Sequence, residues 1–174
     1  ETKDLEAAKI ADLFFNRSFL DPMVKNEFSK ELCQLLDKHS LVPTTKTEDF
    51  EEIKNAKIDF LGVNYYVPRR VKAKDKNNEN QIELKVPEDY FDYYKNPEGR
   101  FNPYRDGNEI WPKALYDIAK NIQENYNNIP WYLAEIGIAM DLSSEGEPIE
   151  GVINDSFRTD LLKEHLIELH KAIE

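Results

Sequence analysis

Apolar positions over residues 5–19 fall at close to helical spacing. Leu5, Ala8, Ala11, Leu13, Phe14 and Phe15 are the apolar positions and predict a helix. Asp21-Pro22 is expected to end it, because the residue before a proline is pushed out of the helical region. Ser29 is a candidate N-cap for a second helix carrying Leu32, Leu35 and Leu36. Cys33 is placed on the apolar side of that helix and read as inert. Thr47, Asp49 and Phe50 indicate a short third helix up to Ile53. The period then changes. Residues 58–66, IDFLGVNYY, are β-branched and aromatic and predict a buried strand.

Residues 72–81 are dense in charge and asparagine and predict an exposed loop, with a short hairpin over 82–86. Residues 87–106 are rich in Tyr, Phe, Pro and Asn without a period. They read equally well as a binding loop or as aromatic packing over a barrel mouth. Pro112 opens a helix with a stripe of Leu115, Ile118, Ala119 and Ile122. A turn at Asn127 and Asn128 leads into a second apolar run, Trp131, Tyr132 and Leu133, followed at once by Glu135, Ile136 and Gly137. The polar run at 141–153, with Gly146, Pro148 and Gly151, predicts a loop. Asp155 or Ser156 caps a last helix bearing Leu161, Leu162, His165, Leu166, Leu169 and Ile173.

Both strands are mostly apolar on both faces, as a parallel sheet covered by helices requires. The order helix, strand, helix, strand, helix predicts an α/β fold with parallel strands joined by crossovers. Two strands cannot make a covered sheet by themselves. The chain also opens and closes inside amphipathic patterns. Residues 1–174 are therefore expected to be a fragment of one larger domain.

The formal net charge of −11 argues against nucleic acid or an anionic membrane as a main partner. A single cysteine suits a reducing compartment and excludes a disulfide framework. No window is apolar for long enough to span a bilayer, and the first residues lack the pattern of a signal peptide. The expected location is cytoplasmic.

The candidate chemistry centres on Glu135. A carboxylate at the end of a buried strand is costly unless it is paired or put to use. In barrels of strands and helices the chemistry sits at the C-terminal strand ends. Taken alone, Glu135 reads more simply as a surface residue at a strand-to-loop junction. The three histidines, His39, His165 and His170, lack metal-ligand spacing, and His165 reads as packing. Asp59 is expected to order a strand entry, and Asp155 with Arg158 to form a helix-start pair. Arg69 and Arg70 read as a solvated strand end in preference to a phosphate site.

Five strings change this reading: NRSFLDPMVKNEF, DFLGVNYY, GNEIWPKALYDIAKNI, IPWYLAEIGI and GVINDSFRTDLLKEHLIELHKAI. In order and spacing they resemble glycoside hydrolase family 1, the β-glucosidases and 6-phospho-β-glucosidases. The tyrosine-rich NPYRDG stretch and KALYDIA look most like the bacterial 6-phospho-β-glucosidase branch. The resemblance implies a partial (β/α)8 TIM barrel from the second half of such a domain. It also implies retaining hydrolysis with two carboxylates, a β-glucoside substrate that is 6-phosphorylated in the phospho-specific branch, and no metal or organic cofactor. Glu135 in AEIG occupies the place of the family nucleophile. Asn64 and Tyr66 match the neighbouring strand end, where the second tyrosine hydrogen-bonds the nucleophile and holds it in position. Tyr65 is read as ordinary packing.

Two positions depart from the family pattern. Ile136 stands where Asn follows the nucleophile. Asn108, in GNEI, stands where a cleft-lining Trp is usual, and it is the second expected substrate-binding residue beside Asn64. No NEP string, which carries the family acid/base, occurs in these 174 residues. The fragment alone is therefore expected to be inactive. Two rival readings follow. One is a catalytically degenerate relative that binds sugar or keeps the fold. The other is a self-associating piece of barrel, a homo-oligomer paired through open strand edges.

Overall fold

The computed structural model describes residues 2–74, 87–104, 108–140 and 155–174. Its helices are α1 (Thr2–Asp12), the single turn α2 (Ser18–Leu20), α3 (Lys30–Lys38), α4 (Thr47–Asn55), α5 (Ala114–Asn125) and α6 (Ser156–Lys171). Its strands are β1 (Leu61–Tyr65), β2 (Val71–Ala73), β3 (Phe91–Tyr93) and β4 (Trp131–Ile136). The hairpin expected over 82–86 and the polar loop expected over 141–153 lie outside the described residues. The chain divides into two compact units.

The first unit holds residues 1–58 and 69–94. Its helical start does not stop at Asp21-Pro22, contrary to expectation. Wide π-type turns at Leu13–Arg17 and Asp21–Lys25 carry the helical path on to Asn26, where a left-handed backbone (φ 60°) ends it. Asp21 keeps helical angles before the proline because its buried carboxylate is held from both sides. Arg17 Nε donates to it at 3.0 Å and Lys25 Nζ lies at 3.2 Å. Pro22 sits in the first turn of its segment, where a missing N–H is no loss.

Ser29 caps α3, accepting from Leu32 N, and Leu32 is buried. Cys33 is exposed, not packed on the apolar side, which is a second correction. The third is the aromatic stretch after Pro87. Phe91–Tyr93 is a strand, paired antiparallel with β2 in the register Val71 to Tyr93 and Ala73 to Phe91. Phe91 is 1% exposed and packs with Ala7 and Ala11 of α1, with Phe15 edge-on at 5.9 Å. Arg69, weighed against a phosphate site, lies over the Phe15 ring at 4.1 Å.

The second unit holds residues 59–68 and 95–174. Here β1 and β4 pair in parallel. The turn into β4 uses left-handed angles at Asn127 (φ 53°) and Asn128 (φ 49°), which asparagine tolerates better than most residues. Leu115 and Ile122 on α5 are buried, and Ile110, Ile138 and Leu161 form a second cluster with Phe157 against it. Asp155 caps α6, accepting from Arg158 N, and also pairs with the Arg158 guanidinium. The sheet is covered on one face only among the described residues. Leu61 and Tyr65 are buried, whereas Gly62, Tyr66 and Tyr132 are exposed, so the expectation of strands buried on both faces does not hold for this unit. Gly62 allows the Tyr132 ring to lie close across β1, since a Cβ there would come 3.1 Å from its hydroxyl.

Candidate active site

The site is made by the carboxyl ends of β1 and β4. Paired residues in a parallel ladder point to the same face, and successive residues alternate. The register runs Leu61 to Trp131, Gly62 to Tyr132 and Val63 to Leu133, and then slips by one: Asn64 pairs with Glu135 and Tyr65 with Ile136. Ala134 is the extra residue of this bulge. Without it Glu135 would stand opposite Tyr65 and turn toward the covered face. With it, Glu135 joins Asn64 and Tyr66 on the open face, and all three are exposed.

Tyr66 Oη donates a hydrogen bond to Glu135 Oε2. That bond, followed by desolvation and by the charge of Glu135, raises the phenol above its ordinary value of 10.0. Tyr66 therefore keeps its proton at neutral pH and acts as a donor. The geometry unites a carboxylate, a phenol that fixes one of its oxygens, and an amide, Asn64, at one strand end. Among the described residues no hydrogen bond holds its other oxygen, and a carboxylate so placed suits attack on an electrophilic carbon or acceptance of a hydroxyl proton.

Asn108 belongs to another element. It adjoins the antiparallel bridge between Phe101 and Glu109, and its carbonyl accepts from Asn102 N at 2.8 Å. Asn102 was not singled out from the sequence. It is buried, and its side-chain amide donates to Ala139 O at 2.7 Å, tying the Asn108 segment to the chain just beyond Glu135. Its place in the NPYRDG string was the only signal.

Behind the open face, Tyr65 and His165 form a second layer. Tyr65 Oη donates to Trp111 O at 2.9 Å, and the Tyr65 and His165 rings lie 5.8 Å apart. His165 Nδ1 is 2.7 Å from Leu161 O, so Nδ1 carries the proton. Desolvation lowers the His165 pKa below its usual 6.5, with Arg100 acting the same way and the Leu161 bond and Glu164 partly opposing it. Glu164 is itself paired with Arg100 and lowered by it. A depressed histidine has a definite consequence. Below about 6.5 the unfolded chain binds a proton that the folded chain refuses, so stability is full above that pH and falls as the pH drops below it. Urea midpoints measured between pH 7.5 and pH 5 should show this fall in the wild type, and a shallower one in His165→Gln.

Among the described residues, no group of three His, Cys, Asp or Glu is placed to hold a metal ion. No helix among them is long and apolar enough to cross a membrane.

Comparison with known proteins follows the same line. The chain is 45% identical over 171 residues to the 6-phospho-beta-glucosidase GmuD of Bacillus subtilis (strain 168), covering 98% of this chain and 36% of that protein. It is 30% identical over 177 residues to a 1,4-beta-D-glucan glucohydrolase of Thermotoga neapolitana, covering 99% of this chain and 36% of that one. Among solved structures it resembles the family 1 β-glucosidase from Thermotoga maritima, with a TM-score of 0.77 and 26% identity over 99% of this chain and 35% of that one. The same enzyme in complex with glucoimidazole gives 0.76 and 27%, with the same coverage. The chain thus spans about a third of the length of these relatives, consistent with part of a barrel. The model described as Glycosyl hydrolase family 1 matches residues 1–174, and this chain belongs to that family.

Proposed function

We propose that these residues are the segment of a retaining β-glycosidase that carries its nucleophile, Glu135. The observation supporting this is the Tyr66 to Glu135 hydrogen bond on the open face of two parallel strand ends. Glu135 attacks the anomeric carbon, forming a carbon–oxygen bond as the glycosidic bond breaks. Tyr66 fixes the carboxylate during the attack, and Asn64 and Asn108 contact the sugar. The acid that protonates the leaving oxygen, and later activates water, comes from beyond these residues. In retaining enzymes it stands about 5–5.5 Å from the nucleophile.

The substrate is a β-glucoside. The similarity to GmuD, named as a 6-phospho-β-glucosidase, and the NPYRDG and KALYDIA wording favour a 6-phosphorylated sugar and a cytoplasmic site of action. A second reading rests on Ile136 and Asn108: an apolar neighbour beside Glu135 and a missing aromatic platform suit a degenerate relative. Hydrolysis of p-nitrophenyl β-glucoside and its 6-phosphate separates the two. The complete polypeptide carrying this segment should turn over the 6-phosphate at least tenfold faster, and the isolated 174 residues should be inert. A complete polypeptide inactive on both would favour the degenerate reading.

A further inference from the structure

Tyr66 can hold Glu135 only as precisely as its own backbone is held. It is half exposed and follows the last residue of β1. The residue before it, Tyr65, points the other way and is only 7% exposed. Its hydroxyl is fixed by the Trp111 carbonyl, 46 positions away, at 2.9 Å. Its ring lies against His165, which is 2% exposed and anchored to its own helix through Leu161 O at 2.7 Å. Tyr65 also stands opposite Ile136, the residue after Glu135. The strand end that presents the donor is therefore pinned from behind by a side chain reaching α6 and the segment before α5.

We propose that Tyr65, backed by His165 and the Trp111 carbonyl, is a positioning residue that sets the Tyr66 to Glu135 geometry. Tyr65 touches neither substrate nor the reacting atoms. It acts by keeping the β1 terminus and the β4 terminus in one register, so that the phenol meets the carboxylate without searching. The catalytic consequence rests on the reading of Glu135 as nucleophile, whereas the geometric consequence does not.

The test uses that separation. Tyr65→Phe removes one hydroxyl and keeps the ring. In the complete polypeptide with 13C-labelled tyrosine, NMR titration of the Tyr66 ring reports its bond to Glu135, since that bond holds the phenol above 10.0. In Tyr65→Phe the Tyr66 midpoint should fall toward that ordinary value, as it should in Glu135→Ala, which removes the acceptor, with far-UV circular dichroism unchanged. His165→Gln gives a second variant acting from the other side of the ring. If Tyr66 titrates as high in folded Tyr65→Phe and His165→Gln as in wild type, the proposal is overturned. In the complete polypeptide Tyr65→Phe should lower kcat about tenfold with KM within twofold, the split expected of lost positioning. A rise in KM with kcat unchanged would also overturn it. A shifted Tyr66 midpoint together with full activity in Glu135→Gln would leave the positioning geometry standing and remove the nucleophile assignment.

Discussion

Glu135→Gln in the complete polypeptide should lower kcat for β-glucoside hydrolysis by on the order of a thousandfold or more, because the amide cannot form the covalent intermediate. The substitution keeps the size of the side chain and one oxygen for the Tyr66 phenol. Folding should therefore be little affected, and KM should move far less than kcat. Asn64 and Tyr66 remain on the open face, so substrate binding persists while the covalent step fails. Steady-state kinetics with p-nitrophenyl substrates check this. A loss below about tenfold would mean that some other group forms the intermediate.

The largest stability effect is expected far from that chemistry, in Phe91→Ala. Phe91 fills the core of the first unit between Ala7, Ala11 and Phe15. Truncating a buried phenylalanine costs about 3–5 kcal/mol through lost transfer energy and the cavity left behind. That is a large part of the roughly 5–15 kcal/mol that stabilises an ordinary domain. Urea denaturation should show the loss, and hydrogen exchange should show reduced amide protection in β2, β3 and α1. Tyr94→Ala, three positions on and exposed, should stay within about 0.5 kcal/mol of wild type. Equal effects of the two substitutions would contradict the placement of Phe91.

That contrast shows where the sequence was legible. Apolar period found the helices at α3, α5 and α6 because each has a stripe with a capping or turn signal beside it. Strands of three residues such as β2 and β3 are too short for alternation to register, so Phe91 was lost among surface aromatics. The proline rule failed at Pro22 because Asp21 stands four positions from both Arg17 and Lys25, and these local pairs, which the proline rule does not weigh, hold the backbone helical.

At the site, strings and strand-end placement singled out Asn64, Tyr66 and Glu135, three residues that the structure gathers on one face. What decides that face is the bulge at Ala134, a property of pairing between strands about 70 positions apart. The roles of Asn102 and Tyr65 depend on distant backbone carbonyls, Ala139 and Trp111, which no pattern of side chains announces.

The central claim is that Glu135 forms the covalent intermediate. Incubating the complete polypeptide with a 2-deoxy-2-fluoro-β-glucoside, or its 6-phosphate, and mapping the adduct by peptide mass spectrometry tests it most directly. A single glycosyl adduct on Glu135, absent in Glu135→Gln, is the predicted result. An adduct on another carboxylate, or turnover with no adduct at Glu135, would contradict it.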